Sequence, residues 1–232
     1  MLADGQRSEL FTHKYRDEFT FWVALEHGDC ARQFGCSAWD LFRHWQTIRM
    51  TELSQALKLA GLDELKTWAS ERSAVEIGPG PFPSIAIAPW RRAVAVDPLA
   101  DGYSRENLVP PDAAHVVFLA SAAEQIPLPS GFADLFVTEN CLDHVDDPAA
   151  VLREAARLLA PEGYVWLLVD LMDYRDLMHP HPFSEQTLHE LFKDTGFEVV
   201  MEWIGPNKSH PNAYAQYRCL LRQGPTRVEA SI

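Results

Sequence analysis

From about residue 72 onward, seven short apolar runs alternate with polar or helical segments. This alternation is the sequence feature that most limits which folds the chain can adopt. The runs are residues 74–77, 93–96, 115–119, 133–138, 164–170, 197–203 and 214–222. Each is short and rich in aliphatic or aromatic residues, which is typical of a buried strand. Strands that alternate with helices form a mostly parallel sheet covered on both faces. The sequence therefore predicts an α/β fold.

Two segments between these runs have the residues that typically begin and end an α-helix. Each begins with a capping side chain and is followed by a glycine: Asp147 and Gly163 bound the first, Ser184 and Gly196 the second. Pro148 suits the first turn of the first helix, because a residue there needs no N–H donor. Ligands of such sheets bind beyond the carboxyl ends of the strands, so the loops that follow the strands are the candidate site.

The first 70 residues differ in pattern from the rest of the chain. Apolar residues such as Tyr15, Phe19 and Trp22 recur at helical steps, and aromatic residues are frequent. We expect a helical lid over residues 1–70 that covers the cleft of a sheet domain over residues 71–232. Most of its aromatic side chains should form core, while a few should line an acceptor pocket.

Charge, hydropathy and cysteine content exclude several classes of protein. The formal net charge of −13 opposes binding to nucleic acid, whose affinity rests on Lys and Arg. No apolar run approaches the roughly 18 residues that span a bilayer, and the first residues lack a signal-peptide pattern. The four cysteines form no CxxC pair, which favours reduced structural thiols. We expect a soluble cytoplasmic protein without a nucleic-acid or membrane partner.

The segment "AVEIGPGPFPS" places a glycine pair directly after the first predicted strand. Glycine allows a tight turn and a close backbone approach. However, prolines at positions 79, 81 and 83 remove three N–H groups that a pyrophosphate would require. Asp97 ends the second strand, where a carboxylate suits the two hydroxyls of a ribose. The pattern predicts an adenosine cofactor that bears no phosphate.

Several successive motifs resemble those of the class I S-adenosylmethionine-dependent methyltransferases, in their small-molecule branch. They are "VEIGPGP", "AVDP", "ASAAEQIPLPSGFADLFVTENCLDHVDDPAAVLREAARLLAPEGYVWL" and "FSEQTLHELFKDTGFEVV", which together cover about residues 70–222. The resemblance implies a Rossmann-like seven-stranded sheet whose last strand is antiparallel. It also implies S-adenosylmethionine as the cofactor.

The resemblance assigns the cofactor to the loops after the first four strands. The implied contacts are Glu76, Gly78, Gly80, Phe82, Asp97, Ala122, Ala123, Glu139 and Asn140. Two positions depart from the usual pattern of the family. Phe82 replaces a frequent third glycine and could either cover the cofactor or pack under the loop. Ala122 replaces a frequent acidic residue, which leaves backbone groups at Ala122 and Ala123 to bond the adenine.

The methyl acceptor is expected beside the fourth strand. His144 follows that strand and is the first candidate for a catalytic base, since imidazole titrates near neutral pH; His181 is the second. The remaining candidates for substrate contact are Trp22, Trp45, His179 and Tyr214. Histidines and aspartates are frequent in this half of the chain, but their spacing matches no strong metal motif, so no metal is expected.

The sequence favours methyl transfer to an oxygen of a small molecule, while nitrogen and carbon acceptors stay open. The alternatives are an inactive scaffold or partner subunit that binds an S-adenosyl ligand, and a nicotinamide-dependent dehydrogenase, which the three prolines disfavour. The sequence also leaves open a homodimer.

Overall fold

The chain forms a seven-stranded sheet with helices on both faces. The structure, a computed structural model, describes residues 15–176, 178–206 and 209–224. The helices are α1 (15–24), α2 (Cys30–Phe34), α3 (Ala38–Ala56), α4 (Leu62–Ser70), α5 (Ala100–Arg105), α6 (Pro148–Leu158) and α7 (Glu185–Thr195). The strands are β1 (Ser73–Ile77), β2 (Arg92–Val96), β3 (Val116–Leu119), β4 (Ala133–Glu139), β5 (Leu159–Leu171), β6 (Phe197–Gly205) and β7 (Ala215–Gln223).

The strands lie in the order β3-β2-β1-β4-β5-β7-β6. Pairings among β1 to β5 are parallel, whereas β7 runs antiparallel to both of its neighbours. The predicted seven-stranded sheet with an antiparallel last strand is therefore confirmed. The order reverses between β1 and β4, so the loops after these two strands diverge and leave a crevice at the sheet edge.

The two predicted helices begin as expected, but one ends early. Asp147 accepts a hydrogen bond from the N–H of Ala150, and Ser184 forms a capping box with Thr187. Gly196 ends α7 with a φ of 82°, as a C-terminal glycine should. The predicted end of α6 at Gly163 is wrong, because the helix ends at Leu158 and the next residues already belong to β5. Pro161 explains the difference, since proline cannot continue a helix and favours an extended residue before it.

Both faces of the sheet are covered by apolar side chains. On one face, residues of α6 and α7 such as Leu152 and Phe192 pack on the strands. On the other face, Met50 and Leu53 of α3 and Leu65 of α4 pack on the sheet within one cluster. In this way α3 and α4 share the core of the sheet. The predicted boundary near residue 70 between a lid and a sheet domain stays a prediction.

No helix among the described residues is long and apolar enough to cross a membrane. The cytoplasmic location, the homodimer and the absence of nucleic-acid partners stay predictions.

Candidate functional site

The glycine loop after β1 lies at the carboxyl edge of the sheet and has left-handed backbone at both glycines. Gly78 has a φ of 59° and Gly80 a φ of 64°. A Cβ at Gly78 would lie 2.3 Å from Sγ of Cys141, and a Cβ at Gly80 would lie 2.6 Å from the ring of Trp22. Neighbouring side chains therefore require both glycines, in addition to the turn itself.

Hydrogen bonds tie this loop to β2. The N–H of Gly78 donates to the carbonyl of Val96 at 2.8 Å, and the N–H of Gly80 donates to Oδ2 of Asp97 at 3.2 Å. The other carboxylate oxygen of Asp97 accepts the N–H of Leu99 at 2.8 Å. Asp97 is only 2% exposed, and its burial raises its pKa to about 7 against the opposing effect of these N–H donors.

Glu76 supports the loop from below. Its carboxylate accepts hydrogen bonds from the N–H and hydroxyl of Ser84 and from the N–H of Ile85, at 2.9 to 3.1 Å. Burial raises the pKa of Glu76, and the carboxylate of Glu139 raises it further. These three hydrogen bonds fix the turn after the glycine loop, and a contact between Glu76 and the cofactor stays a prediction.

Glu139, the last residue of β4, is held from two sides. It accepts a hydrogen bond from Nε1 of Trp166 at 3.0 Å and forms an ion pair with Arg49 of α3 at 3.1 Å. The next residue, Asn140, has a φ of 50°, so the chain turns sharply at the strand end. Its side-chain amide donates to the hydroxyl of Ser209 in the loop between β6 and β7.

Two adjoining cavities open at this edge of the sheet. The lining of the first includes Asp97, Pro98, Ala122, Ala123, Glu124, Cys141, Val145 and Asp146. Glu18 and Tyr15 of α1 also line it. Its lining contains four carboxylates, those of Glu18, Asp97, Glu124 and Asp146, and no Lys or Arg among the described residues. Such a lining favours a cationic ligand over an anionic one.

The second cavity shares Glu18, Gly78, Asn140 and His144 with the first. Aromatic side chains form one wall: Phe21, Trp22, Phe42 and Phe82. Polar side chains form much of the remainder: Gln46, Arg49, Glu76, Ser84, Glu139 and Ser209. An apolar wall with a few convergent polar groups is typical of a small-molecule site.

Phe82 packs among the N-terminal helices. It is 2% exposed, and its ring stacks on Phe42 with centroids 5.0 Å apart and meets Trp22 at 5.8 Å. Its carbonyl accepts a hydrogen bond from the side chain of Gln46. Phe82, which stands where the family often has a third glycine, thus joins the loop to α1 and α3. It also borders the second cavity.

At the predicted adenine position, some backbone groups already form hydrogen bonds within the protein. The carbonyl of Ala122 accepts hydrogen bonds from the hydroxyl of Ser121 and the N–H of Gln125. Glu124 accepts the N–H of Asp146 at 2.9 Å, which ties the loop after β3 to the loop after β4. Ala122 and Ala123 nevertheless line the first cavity, and their contact with the adenine stays a prediction.

The predicted acceptor residues divide into two groups. His144 lines both cavities and Trp22 lines the second, while the ring of His179 lies 4.5 Å from that of His144. The side chains of Trp45 and Tyr214 are about half exposed and border neither cavity.

His181 stands apart from both groups. It donates its backbone N–H to the carbonyl of Asp143 at 3.4 Å, and its side chain is absent from the described lining of both cavities.

Sequence reasoning missed two charged residues that border the cavities. Glu18 lies between Tyr15 and Trp22 at helical spacing, and this pattern of a carboxylate within an aromatic stripe could have identified it. Arg49 gave no such signal, because its partner Glu139 lies 90 residues away in the sequence. Only the packing of α3 against the sheet brings the two together.

Comparison with known proteins places this geometry in a family. A family model described as a methyltransferase domain matches residues 66–202. The chain is also 27% identical over 137 residues to an uncharacterized 37.1 kDa protein in transposon TN4556 of Streptomyces fradiae. That match covers 57% of this chain and 39% of the relative, so the chain spans well under half of that protein's length.

Solved structures share the fold at low identity. One is Burkholderia thailandensis 1,6-didemethyltoxoflavin-N1-methyltransferase with bound 1,6-didemethyltoxoflavin and S-adenosylhomocysteine, at 17% identity and a TM-score of 0.59, covering 97% of this chain and 92% of that one. Another is an S-adenosylmethionine-dependent methyltransferase from Mesorhizobium loti, at 14% identity and a TM-score of 0.54, covering 70% of this chain and 100% of that one. The family model spans more than half of the chain, and the protein belongs to the methyltransferase-domain family.

Proposed function

We propose that this protein transfers a methyl group from S-adenosylmethionine to an oxygen of a small-molecule acceptor. The observation that carries the proposal is the first cavity, whose described lining combines Gly78 of the glycine loop with four carboxylates and includes no Lys or Arg. S-adenosylmethionine carries a positively charged sulfonium, whereas a dinucleotide carries a pyrophosphate. The electrostatics of the cavity therefore favour the sulfonium cofactor.

The donors of the glycine loop support the same choice. The N–H groups of Gly78 and Gly80 are already used in bonds to Val96 and Asp97. The prolines of the loop supply none. A pyrophosphate would find few backbone donors here, which argues against a nicotinamide cofactor.

The residues fit the separate parts of the cofactor. The carboxylate of Asp97 borders the first cavity and can accept from both ribose hydroxyls. Ala122 and Ala123 offer a small apolar surface to the adenine. We assign Arg49, which borders the second cavity, to the carboxylate of the methionine part, because guanidinium groups bind carboxylates well.

The acceptor would occupy the second cavity. Its aromatic wall, formed by Phe21, Trp22, Phe42 and Phe82, favours a flat ring that can stack or pack edge to face. His144 borders both cavities and thus lies where cofactor and acceptor meet. We assign to His144 the contact with the acceptor oxygen, and we favour a phenol or a hydroxylated heterocycle as the acceptor.

When bound, the cofactor supplies the methyl group, and the reaction converts an acceptor hydroxyl to a methyl ether with release of S-adenosylhomocysteine and one proton. The protein contributes position: Asp97 and Arg49 fix the cofactor, the aromatic wall fixes the acceptor ring, and His144 orients the oxygen. Holding two reactants in line lowers the barrier by removing the entropy cost of their encounter.

The test is single-turnover transfer from methyl-labelled S-adenosylmethionine to a panel of phenols, hydroxylated heterocycles and ring N–H heterocycles, read by mass spectrometry. We expect a singly methylated product on oxygen. A product on nitrogen would remove the oxygen assignment and keep the methyltransferase. Binding of S-adenosylhomocysteine without any product across the panel would favour the inactive scaffold.

A further inference from the structure

Three loops bring histidine and aspartate side chains together beside the second cavity. Asp143 and His144 follow β4, His179 lies in the loop after β5, and His210 lies between β6 and β7. The rings of His144 and His179 are 4.5 Å apart, and those of His179 and His210 are 4.6 Å apart. The spacing along the sequence does not show this cluster, because its members are up to 67 residues apart.

Asp143, His144 and His179 each present one ligand atom, and these three atoms lie within 4.8 Å of one another. Nε2 of His144 lies 3.8 Å from Oδ2 of Asp143. Ligand atoms at about 2.0–2.2 Å from one cation lie roughly 3–4 Å from each other. A small inward movement of the three side chains would therefore complete a coordination site.

Asp176 orients His179 in the way that metal-binding histidines require. Its Oδ1 lies 2.9 Å from Nδ1 of His179 and also accepts the backbone N–H groups of Met178 and His179. With Nδ1 bonded to a carboxylate, the nitrogen left for a cation is Nε2. A histidine that donates its second ring N–H to a carboxylate is the usual arrangement around protein-bound metals.

His210 is less suited to be a ligand. Its Nδ1 accepts the backbone N–H of Asn212 at 3.2 Å, so in the neutral ring the proton is on Nε2. His210 therefore packs against His179 without a free lone pair for a cation.

We propose that Asp143, His144 and His179 bind one divalent first-row transition-metal cation, with Asp176 as the positioning residue of His179. Two imidazoles and one carboxylate suit Fe²⁺, Mn²⁺, Co²⁺ or Zn²⁺ better than Mg²⁺ or Ca²⁺, which prefer oxygen ligands. Three protein ligands leave coordination positions open for water or an acceptor.

The metal site would add one step, ionisation of the acceptor hydroxyl, to the proposed methyl transfer. This part of the inference rests on the proposed function. His144 borders both cavities, so a cation bound to it would lie close to the place proposed for the acceptor oxygen. The acceptor hydroxyl displaces a metal-bound water, its O–H bond breaks, the proton passes to solvent and an oxygen–metal bond forms. A bound cation favours this ionisation because it stabilises the developing negative charge. The contact between His144 and the acceptor oxygen then passes through the metal.

The test is calorimetric titration of the chelator-treated full-length protein with Zn²⁺, and with Co²⁺ as a spectroscopic probe. We expect one cation per chain and visible Co²⁺ absorption that reports imidazole ligation. His179→Gln and Asp143→Asn should each abolish this binding. Asp176→Asn should weaken it by about 10–100-fold, as loss of an orienting carboxylate does.

An exposed cluster elsewhere in the described chain, which shares no residue with the proposed site, provides the matched control. Glu185, His189 and Glu202 also present ligand atoms close together, but all three residues are exposed. His189→Gln should leave the stoichiometry, affinity and Co²⁺ spectrum unchanged. Melting curves of all variants check that each is folded. Full affinity in folded His179→Gln and Asp143→Asn, or loss of binding in His189→Gln alone, would overturn the proposal.

The outcomes separate this inference from the proposed function. Stoichiometric cation binding that depends on His179, with no methyl product from any acceptor, would keep the metal site and reject the methyl transfer. Methyl transfer that persists in chelator-treated protein, together with no cation uptake, would reject the metal site and keep the proposed function.

Discussion

A guanidinium nitrogen of Arg49 lies 3.1 Å from the carboxylate of Glu139, and this ion pair joins α3 to the end of β4. The side chain of Glu139 is 3% exposed and that of Arg49 is 24% exposed. Trp166 donates its indole N–H to the other carboxylate oxygen. The pair thus fixes an N-terminal helix against the strand whose end borders the second cavity.

The first prediction concerns this pair. Arg49→Met leaves Glu139 buried without its cation, which should cost about 3–5 kcal/mol of unfolding free energy. Glu139→Gln in the same chain removes the stranded charge, so the double variant should recover much of the loss. Urea unfolding of the wild type, both single variants and the double variant measures the coupling. Additive losses in the double variant would show that the pair does not stabilise the fold.

The second prediction concerns the pH dependence caused by Asp97. Its pKa is about 7 in the fold and 3.8 ordinarily, and the difference is equivalent to roughly 4 kcal/mol. Between these values the folded protein binds more protons than the unfolded chain. The contribution of Asp97 to stability is therefore present below pH 4 and is lost as the pH rises through 7.

Asp97→Asn should remove this dependence. As the pH rises from 4 to 7, the unfolding free energy of the wild type should fall relative to that of the variant. Above pH 7 the difference between the two should stay constant. Urea titrations of both cofactor-free proteins at several pH values measure it. Parallel pH profiles of the two proteins would show that Asp97 has an ordinary pKa in the fold.

The third prediction concerns the ribose contact. If the carboxylate of Asp97 accepts from both ribose hydroxyls, Asp97→Ala should weaken S-adenosylhomocysteine binding by about 1.5–3 kcal/mol, the range for hydrogen bonds to a charged group. Asp101→Ala, at an exposed position of α5, is the matched control and should bind normally. Equal affinity of a folded Asp97→Ala and the wild type would place the ribose elsewhere.

The fourth prediction concerns the contact between the glycine loop and α1. Gly80→Ala introduces a Cβ 2.6 Å from the ring of Trp22 and forces a non-glycine residue to a φ of 64°. The backbone strain alone costs about 1–2 kcal/mol, and the clash adds to it. Trp22→Leu in the same chain should relieve the clash but keep the strain, so the double variant should lose less stability than the sum of both single variants. Strict additivity in thermal unfolding would contradict this contact.

The sequence was sufficient to locate the strands and the turn at the glycine loop. Alternation of apolar runs located all seven strands, and local signals located the caps at Asp147, Ser184 and Gly196. These signals are local because hydrogen bonds within a few residues determine them. The same local reasoning misplaced the end of α6, where Pro161 outweighed the glycine at 163.

Residues that act together through long loops could not be predicted in the same way. The pairing of Arg49 with Glu139, and of His144 with His179, depends on how α3 and the loops after β4 and β5 pack. No periodicity or short motif records those distances. Sequence motifs for metal sites depend on ligands at short, regular spacing along the chain. The observed cluster instead brings together residues that are far apart in the sequence.

Calorimetric titration of the purified protein with S-adenosylhomocysteine and, separately, with NAD tests most simply which class of cofactor the protein binds. The carboxylate-lined cavity and the occupied N–H groups of the glycine loop predict that S-adenosylhomocysteine binds with one site per chain and that NAD does not bind. Binding of NAD without binding of S-adenosylhomocysteine would contradict the account.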